Sequence, residues 1–274
     1  MKSLILIFLL LVSSLGFAES YDSVNTLENK IEEDRFKSVK YVHIHGNNPD
    51  VDAAEDIIPT GGNYVGFPGG SGELFEVFSS DAADTSAGTG AQTVRVFYLD
   101  DDKNCFDSAD NFLFFDIIMN GVTGVDSTIS GRRVYRVVVL TTGSGGTNAG
   151  TITVRNKTTT ANIFSVMQIG DGISKEAVFT VCKGYTAHLE LGLLSMIDTG
   201  ANRSIVVFTE KLDNGTTRLG EGFAVATDSS INIEKGHGIK WNEKEDIKLR
   251  VTSIINMDAT VHGGFKVRLV KNPN

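Results

Sequence analysis

The sequence is poor in several residue types on which common folds and sites depend. It has four prolines, two cysteines and one tryptophan in 274 residues. The cysteines, Cys105 and Cys182, do not form a Cys-x-x-Cys pair. They allow one disulfide if the chain is exported, or two unpaired, partly buried thiols. With Trp241 as its only tryptophan, the chain gives weak support for a stacked aromatic platform that would bind sugars.

Clustered positive charge is also missing. The chain has 25 Lys and Arg residues against 34 Asp and Glu residues, which gives a formal net charge of −9. Binding along a phosphate backbone needs clustered Lys and Arg. We therefore expect no nucleic acid partner, whereas the negative charge suits a protein that stays soluble at high local density.

The motifs of common enzyme classes are absent from the sequence. There is no Gly-x-Ser-x-Gly elbow and no cysteine with a local catalytic signature. The glycine-rich stretches "GTGAQT" and "GSGGTNAG" lack the lysine of a phosphate-binding loop. The sequence therefore predicts a protein that is not an enzyme, with no catalytic residues and no cofactor.

A long apolar run occurs only at the N-terminus. Residues 4–12 are apolar, Lys2 precedes them, and the small-residue exit Gly16-Phe17-Ala18 follows. This pattern is typical of a secretory signal with cleavage after Ala18. The alternative is a hydrophobic anchor that is retained. The run is short for a membrane span, and no later segment could span a bilayer.

The remaining sequence is dominated by glycine and by short β-forming runs. Its 29 glycines, with recurring Thr, Val, Ile and Phe, favour an all-β chain. We predict two antiparallel β-sandwich domains of jelly-roll or Ig-like type, over residues 73–157 and 158–274. Residues 19–72 are expected to form a short amphipathic helix, around residues 24–31, followed by an extended glycine-rich arm outside the core. The polar run "NKTTTAN" at 156–162 is the predicted boundary.

Several strands can be predicted individually. "RRVYRVVVLTTG" contains a continuous Val/Leu run that is typical of a strand buried on both faces. "DIKLRVTSI" and "GFKVRLVKN" alternate strictly, as half-exposed strands do. Two hairpins are predicted, one with its tip at residues 213–215 and one around Lys183-Gly184.

One short block occurs twice in the chain. "DTSAGTGAQTVRVFYLD" at 84–100 is followed by the shorter "TNAGTITVRN" at 147–156. In both, a turn of small residues precedes a Thr/Val-rich run. The local interpretation is one turn-to-strand device used twice, which requires no duplication.

The acidic stretch "LDDDKNCFDSADN" is the first candidate metal site. Asp100, Asp102 and Asn104 have the one-three-five spacing of a calcium loop. The sixth position is Cys105 instead of glycine, and the twelfth is Asn111 instead of glutamate, so the stretch is not an EF-hand. An irregular calcium site at these three residues and a solvated acidic loop both stay open.

A second candidate metal site lies at His43 and His45, which would point to one face of a strand. Asp50, Asp52 and Glu55 follow closely, but no third histidine stands nearby at ligand spacing. Isolated histidines are usually surface or turn residues.

Four stretches of the chain share a likeness with known proteins. They are "HIHGNNPDVDAAEDIIPTGGNYVGFP", "FEVFSSDAADTSAGTGAQTVRVFYLDDD", "GRRVYRVVVLTTGSGGTNAGTITVRN" and "IKWNEKEDIKLRVTS". Together they resemble a family of virion structural proteins of tailed bacteriophages, including head-decoration, head-fibre and tail-associated components. The likeness runs from about Tyr41 to Lys271.

This resemblance implies a fold, an assembly state and a location. It implies all-β domains in a particle-bound homo-oligomer, with capsid or tail subunits as partners and the virion as location. No catalytic residues carry over. The N-terminus departs from the family, because phage particle proteins ordinarily have no secretory signal. The alternative is therefore an exported binding module, secreted or at the cell surface, which recognises glycans or a host surface.

Overall fold

The computed structural model describes residues 39–67, 70–198, 204–213, 216–226, 229–234, 239–253 and 259–273. The expected signal or anchor at 1–18 and the expected helix around 24–31 lie outside these residues. No helix occurs in the described ranges, and none there could therefore cross a membrane. The expectation of an all-β chain is confirmed for this part of the sequence.

Sixteen strands are described. The first eight are β1 (Val39–Val51), β2 (Glu73–Ser79), β3 (Ala91–Leu99), β4 (Phe114–Ile118), β5 (Val125–Gly131), β6 (Arg133–Thr142), β7 (Ile152–Asn156) and β8 (Ile163–Met167). The others are β9 (Val178–Thr180), β10 (Tyr185–Asp198), β11 (Ser204–Asp213), β12 (Thr216–Ala226), β13 (Ser229–Glu234), β14 (Lys240–Trp241), β15 (Asp246–Ser253) and β16 (Ala259–Lys271).

The strands form four sheets. The first half of the chain contributes a three-stranded sheet of order β4-β3-β6 and a four-stranded sheet of order β5-β2-β7-β8. A second four-stranded sheet has the order β12-β11-β15-β9. A five-stranded sheet has the order β1-β16-β10-β13, with β14 beside β10. Antiparallel pairing joins neighbouring strands in each sheet, such as β10 with β16, β11 with β15, β2 with β7 and β3 with β6.

Two groups of buried apolar side chains form the interior. The first core takes side chains from the two first-half sheets, such as Phe75 of β2 and Val96 of β3. The second core takes side chains from the five-stranded sheet and from β15, such as Val261 and Ile247. Tyr135 of β6 also belongs to the second core, so first-half residues contribute to both groups.

The polar run at 156–162 lies within a sheet. It is the loop between β7 and β8, which pair with each other. The loop is closed by the Asn156 N–H, which donates to Asn162 O at 2.9 Å. The Asn156 side chain accepts hydrogen bonds from the Thr158 and Thr159 N–H groups at 2.8 Å. This run is therefore a hairpin loop and not a linker, while the division into two domains stays a prediction.

The two hairpin predictions had different outcomes. Strands β11 and β12 pair up to Asp213 and Thr216, which confirms the first hairpin. The second was wrong, because β9 pairs with β15 and β10 pairs with β16. A turn closed by Tyr185 N–H and Cys182 O, with Gly184 at φ 78°, carries the chain from one sheet to the other.

Residues 41–72 were expected to be an arm outside the core, and the structure corrects this. Strand β1 lies in the five-stranded sheet, and Ile57 is fully buried. The buried carboxylate of Asp56 accepts hydrogen bonds from Lys248 Nζ at 2.9 Å and from Arg250 at 3.1 Å. Backbone hydrogen bonds place residues 55–57 beside β15, and the ion pair with Asp56 explains why Lys248 is buried although its alternation predicts exposure. Deletion of residues 41–72 would therefore disrupt the core.

Candidate functional site

The predicted calcium residues have partners within the chain. Asp100 Oδ1 accepts the Asp102 N–H at 3.0 Å and the Asn104 N–H at 2.8 Å. Asp100 Oδ2 accepts a hydrogen bond from the Asn104 side-chain amide at 2.7 Å. Asp102 forms an ion pair of 2.8 Å with Lys183, which lowers the pKa of its carboxyl. Within the described ranges no three His, Cys, Asp or Glu side chains are grouped to hold a metal. Calcium binding at Asp100, Asp102 and Asn104 stays a prediction.

The acidic loop joins the two halves of the chain. Cys105 forms a disulfide with Cys182, 77 residues further on, and both cysteines are buried. This decides between the two alternatives left by the sequence. Lys103, with φ 65°, donates from Nζ to Lys244 O at 2.7 Å. We call the contacts that this loop and Arg133 make with the second half of the chain the junction.

A buried aspartate lies at the centre of the junction. Asp246 accepts two hydrogen bonds from Arg133, at 3.1 and 2.8 Å, and one from the Thr180 hydroxyl at 2.5 Å. Lys103 Nζ lies 3.3 Å from the same carboxylate. Burial alone would raise the pKa of Asp246, but the hydrogen bonds and charge of Arg133 outweigh it and lower the pKa. The Asp246 carboxylate is therefore ionised and paired.

A second buried aspartate explains the repeated block. The Asp84 carboxylate accepts the Ala91 N–H at 2.6 Å, in its own block, and the Ala149 and Gly150 N–H groups at 2.8 Å, in the second block. The Ser79 hydroxyl donates a fourth hydrogen bond at 2.6 Å. One carboxylate thus holds the two glycine-rich turns together, a role that the sequence did not reveal.

The predicted pair of histidines lies as expected for a strand. His43 and His45 are exposed on one face of β1, while Ile44 between them and Val42 before them are buried. Glu55 accepts a hydrogen bond from the Asn48 side chain at 3.0 Å. Metal binding at these residues stays a prediction.

Glu176 is a buried glutamate that the sequence did not predict. Glu176 accepts hydrogen bonds from the Ser165 hydroxyl at 3.0 Å and from the Val166 N–H at 2.5 Å. Burial raises the pKa of Glu176 from 4.5 to about 7. A cavity of about 170 Å³, lined also by Tyr64 and Ile163, adjoins it. The carboxyl group lies in "GISKEAVF", which has no pattern that marks a buried acid.

The exposed side of the three-stranded sheet carries several large apolar side chains. Phe114 and Ile118 of β4 alternate with the buried Phe115 and Ile117, and Ile118 is 64% exposed. Arg95 of β3 lies between the outer strands, in register with Asp116 and Val138. Its guanidinium bonds Asp116 at 2.8 Å and lies 3.7 Å from the centroid of the Phe114 ring.

Strand β6 continues this surface. Val138 is half-buried and Leu140 is 42% exposed, although the sequence of β6 is typical of a strand that is covered on both faces. The prediction of burial on both faces is therefore wrong for this end of the strand in the single chain. Ile173, which pairs with Val138 through an isolated bridge, is also exposed. We call Phe114, Ile118, Val138, Leu140 and Ile173 the outer face.

Comparisons with known proteins give only distant likenesses. No protein-family model matches the chain, and no curated protein matches it. The chain is similar to the cowpea mosaic virus top component, with 7% identity over 74% of this chain and 83% of that chain, at a TM-score of 0.19. It is similar to infectious bursal disease virus, Gx strain, with 10% identity over 86% of this chain and 72% of that chain, at a TM-score of 0.24. TM-scores this low establish no shared fold, so neither likeness bears on fold or function.

Proposed function

We propose that the protein is a non-enzymatic structural subunit of a virus particle, which assembles as a homo-oligomer through its outer face. The observation that carries the proposal is strand β6. Its Val/Leu run is typical of a strand covered on both faces, yet Leu140 is 42% exposed in the single chain. A second copy of the chain would supply the missing cover. Contiguous exposed apolar side chains commonly mark protein–protein interaction sites.

The resemblance to tailed-bacteriophage particle proteins supports the more specific assignment. In this assignment the chain is a capsid-decoration, head-fibre or tail-associated component, located in the virion. Its partners are further copies of itself and other capsid or tail subunits, and nucleic acid is not among them. The net charge of −9 favours the same assignment, because it opposes non-specific binding to nucleic acid.

The fold that we propose is a pair of β-sandwiches of jelly-roll or Ig-like type. The second core supports this arrangement, since side chains from two different sheets meet in it, among them Val261 of β16 and Leu249 of β15. Two sheets that share one layer of apolar side chains are the defining feature of a sandwich. The first core combines Val77 of β2 and Val94 of β3 in the same way.

The oligomeric state of two matched variants tests the proposal. Leu140→Asp places a charge on the outer face, whereas Leu74→Asp places the same charge on β2, where Leu74 is 37% exposed. We expect light scattering to show an oligomer for the wild-type protein and for Leu74→Asp, and a folded monomer for Leu140→Asp. The wild-type protein as a monomer at all concentrations, or an unchanged oligomer in Leu140→Asp, would contradict assembly through this face.

An exported binding module that recognises glycans or a cell surface is the second candidate function. The disulfide between Cys105 and Cys182 favours a protein that reaches an oxidising environment, and export provides one. Virion surfaces are also oxidising, so the disulfide is consistent with both candidates. The mature N-terminus separates them, because export with cleavage would leave a chain that begins at Glu19.

A further inference from the structure

A second feature of the surface lies on the five-stranded sheet, where it borders Ile173 of the outer face. Its outward side carries His43 and His45 on β1, His262 on β16 and His188 on β10. In β16 the inward positions, such as Val261 and Phe265, belong to the second core. On the outward side of β16, His262 and Lys266 are half-buried, and the buried Gly264 lies between them.

The backbone of β1 lies close to Gly264 on this side of the sheet. It is in register with Leu193 of β10, which is 42% exposed. A Cβ atom at Gly264 would lie 2.7 Å from Ile44 O and 3.1 Å from His45 Nδ1. Glycine inside a strand commonly marks close approach of a ligand or of another backbone. Here the approaching backbone is that of β1. Two cavities adjoin Gly264, with His45, His262, Lys266 and Leu193 among their lining residues, and we call them together the pit.

The pit extends in two directions from Gly264. One cavity of about 270 Å³ contains Ser195, Ser230, Asn232 and His262. The other, of about 280 Å³, contains His43, Arg136, Ile173, Leu191 and Lys266. Both share His45, Leu193 and Gly264. Each volume lies close to the lower end of the ~300–1,000 Å³ that a small-molecule site typically occupies.

The two ends of the pit differ in charge. Arg136 and Lys266 provide positive charge at one end. Lys266 Nζ lies 4.6 Å from the centroid of the Tyr41 ring, and Arg136 donates a hydrogen bond to His43 O. Neither residue has a carboxylate partner among the described residues, and none lines either cavity there. In a protein with a net charge of −9, these cations indicate a site for an anion.

The other end of the pit is polar but uncharged. It presents the Ser195 and Ser230 hydroxyls and the Asn232 amide, which can donate and accept hydrogen bonds. Burial, together with the charges of His45 and Lys175, lowers the pKa of His262, so its imidazole is neutral at pH 7. Between the two ends, Leu191 and Leu193 provide apolar contact.

We propose that the pit binds a carboxylate-bearing sugar, with the carboxylate at Arg136 and Lys266 and the hydroxyl groups at Ser195, Ser230 and Asn232. A uronic or sialic acid combines these groups with an apolar C–H surface that suits Leu193. A neutral sugar has nothing to pair with the two cations. A simple carboxylate such as acetate leaves the neutral polar end unoccupied. This proposal does not rest on assembly through the outer face.

Binding of four small probes to the full chain tests the ligand class. Glucuronic acid and N-acetylneuraminic acid are titrated at pH 7 by NMR or calorimetry, beside glucose and acetate. We expect millimolar Kd values for the acidic sugars, and binding at least about tenfold weaker for glucose and acetate. Equal binding of glucose and glucuronic acid, tighter binding of acetate, or no binding of either acidic sugar would overturn the proposal.

Three variants test the location. Lys266→Gln removes one cation from the pit, and its control Lys271→Gln removes an exposed cation from the end of the same strand. We expect Lys266→Gln to weaken acidic-sugar binding about tenfold, because the sugar carboxylate would lose one of its two charged partners, and Lys271→Gln to leave it unchanged. Leu193→Trp should block the pit without affecting the core, since Leu193 faces solvent. Binding that persists in both Lys266→Gln and Leu193→Trp, with wild-type melting temperatures, would place the sugar elsewhere.

Discussion

The region around Asp84 and the junction around Asp246 each contain a buried carboxylate, but the partners differ. Asp84 accepts hydrogen bonds from three backbone N–H groups and one hydroxyl, all within the first half of the chain. Asp246 is paired with Arg133 and with Lys103, both of which lie more than a hundred residues away in the sequence. Neutral donors therefore hold two turns of the first half of the chain together, whereas the buried ion pairs of Asp246 connect the first half with the second.

The difference has an energetic consequence. When a carboxylate that accepts hydrogen bonds from neutral N–H groups is removed, only those N–H groups lose an acceptor. A buried ion pair leaves an uncompensated charge when one partner is removed, which is much more costly. Variants of the two regions should therefore differ in the size of their effects.

The largest effect is expected for Asp246→Ala. This change leaves Arg133 and Lys103 in the junction without their carboxylate, and should lower the free energy of unfolding by about 3–5 kcal/mol. Urea unfolding at pH 7 measures it. The control is Asp116→Ala, which removes the partner of Arg95 from a solvent-exposed pair and should cost less than about 1 kcal/mol. Equal losses in the two variants would contradict the account of the junction.

The disulfide of the junction is expected to have the next largest effect. The double variant Cys105→Ser/Cys182→Ser removes a cross-link that closes a long loop, and should lower the free energy of unfolding by about 2–5 kcal/mol. Chemical denaturation with and without reductant measures this. Reduction should destabilise the wild-type protein and leave the double variant unchanged. A wild-type midpoint that reductant does not alter would show that the disulfide contributes nothing.

Glu176 sharpens the comparison, because burial raises the pKa of its carboxyl more than its hydrogen bonds from neutral donors lower it. Its folded-state pKa of about 7 exceeds its ordinary value of 4.5, so the folded protein binds this proton more tightly than the unfolded chain. The contribution of Glu176 is most favourable below pH 4.5 and is lost as the pH rises to 7. Glu176→Gln should therefore stabilise the protein above pH 7, by up to roughly 3 kcal/mol, and not below pH 4.5.

Paired unfolding curves of the wild-type protein and Glu176→Gln at several pH values measure this difference. Other groups change the stability of both proteins in the same way, so the comparison isolates Glu176. A difference that does not depend on pH between 4.5 and 7 would show that the carboxyl ionises normally in the folded state.

The smallest of these effects is expected for Asp84→Asn. Asparagine has an NH₂ group where aspartate has its second acceptor oxygen, so this NH₂ donor would face groups that are themselves donors. This should cost about 1–3 kcal/mol. Asp81→Asn is the matched control, because Asp81 is exposed and accepts the Ala83 N–H in the same turn region. Thermal unfolding should separate the two variants. A loss in Asp84→Asn as large as in Asp246→Ala would remove the distinction between the two regions.

The sequence predicted the all-β class and several elements. Alternation placed Phe265, Val267 and Leu269 in the interior, and the tip at residues 213–215 identified the hairpin of β11 and β12. These features depend on neighbours in the sequence, which is where periodicity and turn residues carry information.

Features that depend on distant partners were missed or wrong. The short strand β9 pairs with β15 and not with its neighbour β10, and Asp56 reaches Lys248 across 192 residues. The repeated block suggested a local turn device, but Asp84 links its two copies. The outer face was missed because the Val/Leu run of β6 predicts burial on both faces, whereas Leu140 is exposed in the structure.

The most direct test of the central claim is to purify particles from a culture that produces this protein and to identify the chain by mass spectrometry. The proposed function predicts the chain in the particles, at a constant ratio to the other structural proteins, and its absence from the soluble medium. Recovery only from envelope or medium fractions, with Glu19 as the first residue, would contradict a particle subunit and leave an exported binding protein.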